Sequence, residues 1–257
     1  MENRNFWEGV YNSFSEIEIK NDDVFEGDVW LDKVHQRAVS LLEKESSTNV
    51  SDRLVTTSEY ALPFIVATCL NDAKTCHILD FGGGLGTSYI PLKSMLRENA
   101  NIEFDVVENE ILCEKGKELF GDDNNIQFYN AIPEAKGYDI AHAGSSMQYI
   151  ENWQEGIGAL AKTGAEYILF ADLLAGDIKT FATTQCFYGK KIPSWFWNLQ
   201  EFIEVVETFE YELILKAAYR GYYLEQGASL PTTNFALPYR LNQTCQLVFR
   251  KKHSSSD

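Results

Sequence analysis

The sequence predicts an α/β fold: one doubly wound, mostly parallel sheet of about seven strands, preceded by an N-terminal helical extension. Three observations carry this. Short β-rich runs alternate with longer amphipathic segments from Cys76 onward, the connections between them are short, and the first run leads directly into a glycine-rich turn, Asp80-Phe-Gly-Gly-Gly-Leu-Gly86.

In chain order, strands are expected at Cys76–Asp80, Ile102–Val107, Ile126–Tyr129, Tyr138–Ala141 and Glu166–Phe170. Helices are expected between them at Thr87–Arg97, Ile111–Phe120 and Asn152–Lys162, each ending near a Gly or Asn that can terminate it. A long aromatic stretch, Leu173–Phe196, then leads into a helix at Leu199–Thr208, and strands at Tyr211–Ala218 and Thr244–Phe249 close the pattern. Upstream, Val29–Leu42 and Arg53–Leu70 have helical spacing of apolar residues and are separated by the polar run Glu43–Asp52. They are expected to pack on the sheet or to cover its ligand crevice. The organisation expected is therefore a helical extension over 1–70, a ligand-binding domain over 71–250 with an insertion at 172–197, and a disordered tail over 251–257.

Composition narrows the function classes. With 257 residues, 45% of them hydrophobic, the chain can bury a full core without metal or disulfide staples. A formal charge of -16 opposes nucleic acid, whose phosphates are held by clustered Lys and Arg, so no nucleic-acid partner is expected. The five cysteines form no C-x-x-C pair and the four histidines are scattered, which indicates neither a disulfide framework nor a metal site. Met1–Val10 lacks the apolar core of a secretory signal and no apolar run reaches the ~18 residues of a membrane span, so a cytoplasmic protein without membrane insertion is expected.

The glycine turn is the strongest functional signal. At the C-terminal end of a strand, small residues let the backbone turn sharply and approach a ligand, although glycines at such a turn can serve geometry alone. The dinucleotide pattern G-x-G-x-x-G fails, because counting from Gly82 its last position is Thr87. The nucleoside-triphosphate loop also fails, since no Lys-Ser/Thr pair follows a suitably spaced glycine. What remains is acid-x-Gly-x-Gly-x-Gly at Asp80, Gly82, Gly84 and Gly86, with Gly83 between. This spacing resembles that of class I methyltransferases, and the resemblance implies S-adenosylmethionine (SAM) as cofactor. SAM has a zwitterionic methionine end rather than a pyrophosphate, which suits Asp80 beside the turn.

Further candidates follow at the strand ends. Glu108, with Asn109 after it, is placed to accept the ribose hydroxyls, or else is a solvated loop acid. Asn130 follows the third strand, where similar methyltransferases border the adenine; a turn asparagine is the other reading. Ala143-Gly144-Ser145-Ser-Met-Gln148-Tyr149 combines small and polar residues at the end of strand four, where an open α/β sheet holds its ligands.

A wider resemblance runs through most of the chain. Trp7-Glu-Gly-Val-Tyr11-Asn-Ser-Phe14, the glycine turn, Ser145-Ser-Met-Gln-Tyr149, Thr184-Gln185 and Pro193-Ser-Trp-Phe196 occur in the order seen in the methyltransferase family found in bacterial surface-polysaccharide and lipopolysaccharide gene clusters. The resemblance implies a Rossmann-like methyltransferase sheet, SAM and a small-molecule acceptor such as a sugar or polysaccharide precursor. Lys191-Ile-Pro193 departs from the more Tyr-rich segment expected there.

Acceptor-side candidates are Gln148, Tyr149, Asp172 and Gln185, from the ends of strands four and five and the insertion after them. None stands out as a base: Asp172 reads equally as a helix cap, and His142 reads best as a packed core residue. Phe187, Tyr188, Trp195, Phe196 and Trp197 form either a lid over the acceptor or core beneath a long loop. Two other functions fit the residues: a cofactor-binding protein of this fold without transfer activity, and an NAD-dependent sugar-modifying enzyme.

Overall fold

The computed structural model describes residues 5–18, 25, 27–46, 60–70, 75–96, 100–134, 136–187, 190–219 and 230–253. In chain order the elements are β1 (Trp7–Tyr11), α1 (Asp28–Glu45), α2 (Ala61–Cys69), β2 (Cys76–Phe81), α3 (Tyr89–Met95), β3 (Ile102–Val107), α4 (Glu110–Phe120) and β4 (Ile126–Tyr129). These are followed by β5 (Ile140–Gly144), α5 (Trp153–Lys162), β6 (Tyr167–Leu173), β7 (Ala175–Gly176), β8 (Phe181–Phe187), β9 (Lys190–Asn198), α6 (Leu199–Glu207), β10 (Tyr211–Tyr219) and β11 (Thr244–Lys251).

The main sheet has seven strands in the order β10-β11-β6-β5-β2-β3-β4, parallel from β6 to β4, with β10 and β11 antiparallel at one edge. The order reverses at β2, which begins the parallel series and has β5 on one side and β3 on the other. In such a sheet the two connections leave from opposite faces and open a crevice at the strands' C-terminal ends. The central strands are buried on both faces and read as continuous apolar runs. Ile78 of β2 packs in a core with α2 and α3, while its neighbour Leu79 packs with α5, α6 and the aromatic residues of β9.

Several boundaries move from those expected. The fourth strand runs Ile140–Gly144 rather than Tyr138–Ala141, which puts His142 in mid-strand and Gly144 at its end. Helix α3 starts at Tyr89, two residues later than expected, because the glycine turn continues through Ser88 with Gly86 N–H donating to the Gly83 carbonyl. Lys251, placed in the tail by sequence, ends β11; residues 254–257 and 53–59, the latter part of an expected helix, lie outside the described residues.

The larger difference is a second sheet. The segment 172–197 is not a loop but contains β7 and a β8–β9 hairpin, and β1 adds antiparallel to β8 to give the order β1-β8-β9-β7. The N-terminal extension is thus not wholly helical: Trp7 pairs with Gln185, and the two resemblance motifs far apart in sequence are cross-strand neighbours. Pro193 sits inside β9 although proline has no N–H for a ladder. It is tolerated there because β7 pairs with β9 at Trp197 and Asn198, and among the described residues no second strand neighbours β9 at the level of Pro193.

No helix among the described residues is long and apolar enough to cross a membrane. The five cysteines are free thiols, and the described residues contain no cluster of three or more metal-ligating side chains.

Candidate functional site

A cleft of about 580 Å³ opens at the C-terminal ends of β2, β3 and β5. Its floor is the glycine turn, fixed to the sheet by the Gly82 N–H donating to the Val107 carbonyl (2.9 Å) and by Ser146 Oγ donating to the Phe81 carbonyl (2.7 Å). The glycines divide by what surrounds them. A side chain on Gly82 would run into Ser146, on Gly83 into Asp80 and on Gly86 into Ile126, so these three serve close packing within the protein. Gly84 alone of the four faces open space: it has φ +59, and a Cβ added there would meet nothing nearer than Val34 Cγ1 at 3.7 Å.

Glu108 closes one side. Its Oε1 accepts from the Gly84 N–H and its Oε2 from the Asn109 N–H, both at 3.1 Å, which leaves lone pairs on each oxygen for further donors. Burial raises its pKa above the ordinary glutamate value, against the smaller lowering effect of those two N–H groups. Asn109 also caps α4, its Oδ1 accepting from Leu112 N–H at 3.0 Å. Asn130 is exposed at the rim.

The roof is α1. Trp30, Val34 and Arg37, spaced along one helix face, line the cleft from above, and Phe25 bridges from Trp30 (5.2 Å between ring centres) to Tyr149 (4.9 Å). Residues of α1 thus line the cleft. The i, i+4, i+7 spacing was legible in the sequence; which element it would face was not.

Beyond the glycine turn, Tyr149 lines the cleft and donates to Gln185 Oε1 of β8 at 2.8 Å. Burial pushes the Tyr149 hydroxyl up to about 12, so it is a hydrogen-bond donor rather than a base near neutral pH. Gln148 is buried behind it, its Nε2 donating to the Ser145 carbonyl at 2.8 Å. Ser145 and Asp172 end adjacent strands and are two of the three non-glycine residues described with positive φ (54 and 52). Ser145 Oγ donates to Asp172 Oδ2 (2.7 Å) and Thr244 Oγ1 to Oδ1 (2.6 Å). Side-chain bonds to the strained pair hold it in place, and strain of this kind clusters at functional sites. Asp172 lies within β6 and precedes no helix, so the capping alternative is removed. It faces a smaller recess of about 140 Å³ that shares Gly144, Ser145 and Arg37 with the cleft.

The structure therefore gathers Gly82, Gly83, Gly84, Glu108, Asn109, Asn130, Gly144, Ser145 and Tyr149 around one cleft. Asp80 and Gly86 lie beneath its floor, and Gln185 and Gln148 stand behind Tyr149. Ser146, within the segment the sequence singled out after the fourth strand, lines it too, as do Thr87, Ser88 and Ile150, which were not named there as ligand contacts. The aromatics of β9 belong to the core: Phe196 and Trp197 are fully buried, and Trp195 is 8% exposed, stacked on Phe14 (5.2 Å) with Nε1 donating to the Glu151 carbonyl. Tyr188 lies outside the described residues.

No family profile and no curated protein matches the sequence. Solved structures do resemble the fold. Magnesium protoporphyrin IX methyltransferase from Synechocystis PCC 6803, crystallised with S-adenosylhomocysteine, aligns at TM-score 0.52 and 11% identity over 90% of this chain and 100% of that one. A SAM-dependent methyltransferase from Clostridium acetobutylicum aligns at TM-score 0.51 and 9% identity over 85% of this chain and 99% of that one. Another, from Mesorhizobium loti, aligns at 0.50 and 11% over 76% and 98%. The fold is the Rossmann-like one of class I SAM-dependent methyltransferases.

Proposed function

We propose that this chain is a SAM-dependent methyltransferase acting on a small molecule. The observation that carries the reading is the cleft floor: one glycine backbone facing open space at Gly84, a carboxylate with spare lone pairs at Glu108, and a buried carboxylate oxygen of Asp80 directly under the turn. This donor and acceptor set fits a nucleoside bearing an amino-acid arm. Glu108 accepts from the ribose hydroxyls, Asn130 and Asn109 border the base, and Gly82–Gly84 with Gly144 and Ser145 receive the amino-acid end.

When bound, SAM supplies an electrophilic methyl group on a sulfonium, open to in-line displacement. The protein's part is positioning, which holds the acceptor atom opposite the leaving sulfur. Phe25, Trp30 and Val34 exclude water from above. Tyr149, whose hydroxyl proton goes to Gln185, presents its oxygen lone pairs to accept from the acceptor and orient it, and Gln148 and Asp172 fix the ends of β5 and β6 around it. A sugar or polysaccharide precursor as acceptor is supported by the sequence resemblance.

Calorimetry with SAM, S-adenosylhomocysteine and NAD, together with mass spectrometry of any nucleoside retained on purification, tests the cofactor. Micromolar binding of the first two and none of NAD is expected; preference for NAD, or binding of none, overturns the reading. Release of S-adenosylhomocysteine on a small-molecule panel separates an enzyme from a binding protein. For the ribose contact, Glu108→Ala is expected to weaken SAM binding by about 1.5–3 kcal/mol, the usual worth of a hydrogen bond to a charged group. Because burial raises its pKa, Glu108 becomes protonated on acidification sooner than an ordinary glutamate. Wild-type affinity should therefore fall as pH is lowered through that raised value, and Glu108→Gln should flatten the profile. A loss below ~0.5 kcal/mol for Glu108→Ala would make Glu108 a bystander.

A further inference from the structure

Five residues, Arg37, Thr87, Ser88, Gly144 and Ser145, line both the cleft and the smaller recess of about 140 Å³, and so form the throat between them. Beyond the throat, Ala171 and Asp172 at the end of β6 and Tyr219 at the end of β10 line the recess alone. Arg37 is the only Lys, Arg or His among the described residues lining either space, in a chain whose formal charge is -16. Among the described residues it has no hydrogen bond or ion pair, and the same holds for the hydroxyls of Thr87 and of Ser88, which stands at the N-cap of α3 without making a side-chain cap bond. The polar groups around them are engaged within the protein: Glu108 accepts from two backbone N–H groups, and Ser145 donates to Asp172.

The throat is thus a patch of donors with a recess behind it. A guanidinium presents its N–H groups as a planar fork that matches the oxygens of a carboxylate or phosphate, and each hydroxyl adds one more donor. On the far wall Asp172 supplies acceptor oxygens instead. The recess has room for several water molecules, and hence for a small polar group rather than a nucleoside. Its far wall also lies outside the path from Glu108 over Gly84 that the proposed cofactor takes. We propose that the throat and recess hold the part of the methyl acceptor remote from its reacting atom, and that this part is a hydroxylated acid: its carboxylate or phosphate meets Arg37, Thr87 and Ser88, and a hydroxyl beyond it meets Asp172. This rests on the SAM reading above and names the class of acceptor. A neutral polyol of the same size leaves the fork of Arg37 unmatched. Elsewhere the acidic surface repels an anion, so Arg37 sets both where the acceptor docks and which acceptors do.

Three small probes, titrated by ligand-observed NMR into protein saturated with S-adenosylhomocysteine, test this. Glycerol 3-phosphate and glycerate carry the two anions, and glycerol carries neither. At least one acid is expected to bind in the millimolar range and at least about tenfold more tightly than glycerol; the tighter acid tells phosphate from carboxylate. Arg37→Gln should weaken that acid at least about tenfold, the lower end expected for a hydrogen bond to a charged group, and Arg37→Lys, which keeps the charge but not the fork, should weaken it less. S-adenosylhomocysteine affinity, followed by calorimetry, should stay within about twofold in both variants. Acids that bind no better than glycerol, or an acid indifferent to Arg37→Gln, overturn the proposal. So does a larger loss of S-adenosylhomocysteine affinity in Arg37→Gln, which would put Arg37 on the cofactor instead. Failure of the wild type to bind S-adenosylhomocysteine at all would overturn the SAM reading itself.

Discussion

Gly84→Val is expected to abolish measurable SAM binding, a loss of more than about 100-fold or ~2.7 kcal/mol, while the protein remains folded. The cause is the backbone rather than a clash. Gly84 has φ +59, a region that costs an ordinary residue about 1–2 kcal/mol and a β-branched one more. The side chain would meet no protein atom closer than Val34 Cγ1, so it would project into the cleft where the ligand is proposed to lie. Relief of the strain would also move the Gly84 N–H from Glu108 Oε1 and release the proposed ribose acceptor. The measurement is calorimetric titration with SAM beside thermal unfolding of the apoprotein. Near-wild-type affinity would show that the ligand does not approach this backbone, whereas loss of the folded state would show that the turn serves stability first.

Trp195→Ala is expected to act in the opposite sense, with a large loss of stability and little change in cofactor affinity. Trp195 is buried, stacks on Phe14 and donates Nε1 to the Glu151 carbonyl, so truncation leaves a cavity and removes that hydrogen bond. Removing a core aromatic costs about 3–5 kcal/mol, which for a chain of this size lowers the melting temperature by roughly 10 °C. Gln185→Ala provides the contrast. It removes the bond that holds Tyr149 and is expected to reduce transfer to an acceptor with only a small change in melting, SAM affinity staying within about twofold. An unchanged melting temperature for Trp195→Ala, with impaired transfer, would instead put that ring in the acceptor pocket. Wild-type transfer by Gln185→Ala would remove the hairpin from the acceptor site.

Much of the central sheet was legible because its strands carry two local signals at once, apolar runs bounded by turn residues and a glycine turn whose spacing has few uses. Cys76–Phe81, Ile102–Val107 and Ile126–Tyr129 fall where the pattern put them, give or take a residue. Glu108 was legible for the same reason: its place follows from the end of a strand. The second sheet was not. Its strands β1 and β8 lie more than 170 residues apart, as the contact from Thr183 Oγ1 to the Gly9 carbonyl shows, and no local periodicity reports a pairing at that range. Pro193 lies within β9, at a level where no second strand pairs with β9 among the described residues.

The parallel core, the crevice at its switch point and the glycine turn could all be read from the chain, because each depends on residues close together in it. That α1 roofs the crevice, that three of the four glycines of the turn are there for packing and one for the open cleft, and that His142 is hydrogen-bonded to Asp80 emerged only from the folded molecule. Those outcomes depend on which distant surfaces meet. Burial then sets the chemistry: the same carboxylate is a solvated loop acid in one environment and, at Glu108, a half-buried acceptor with a raised pKa in another.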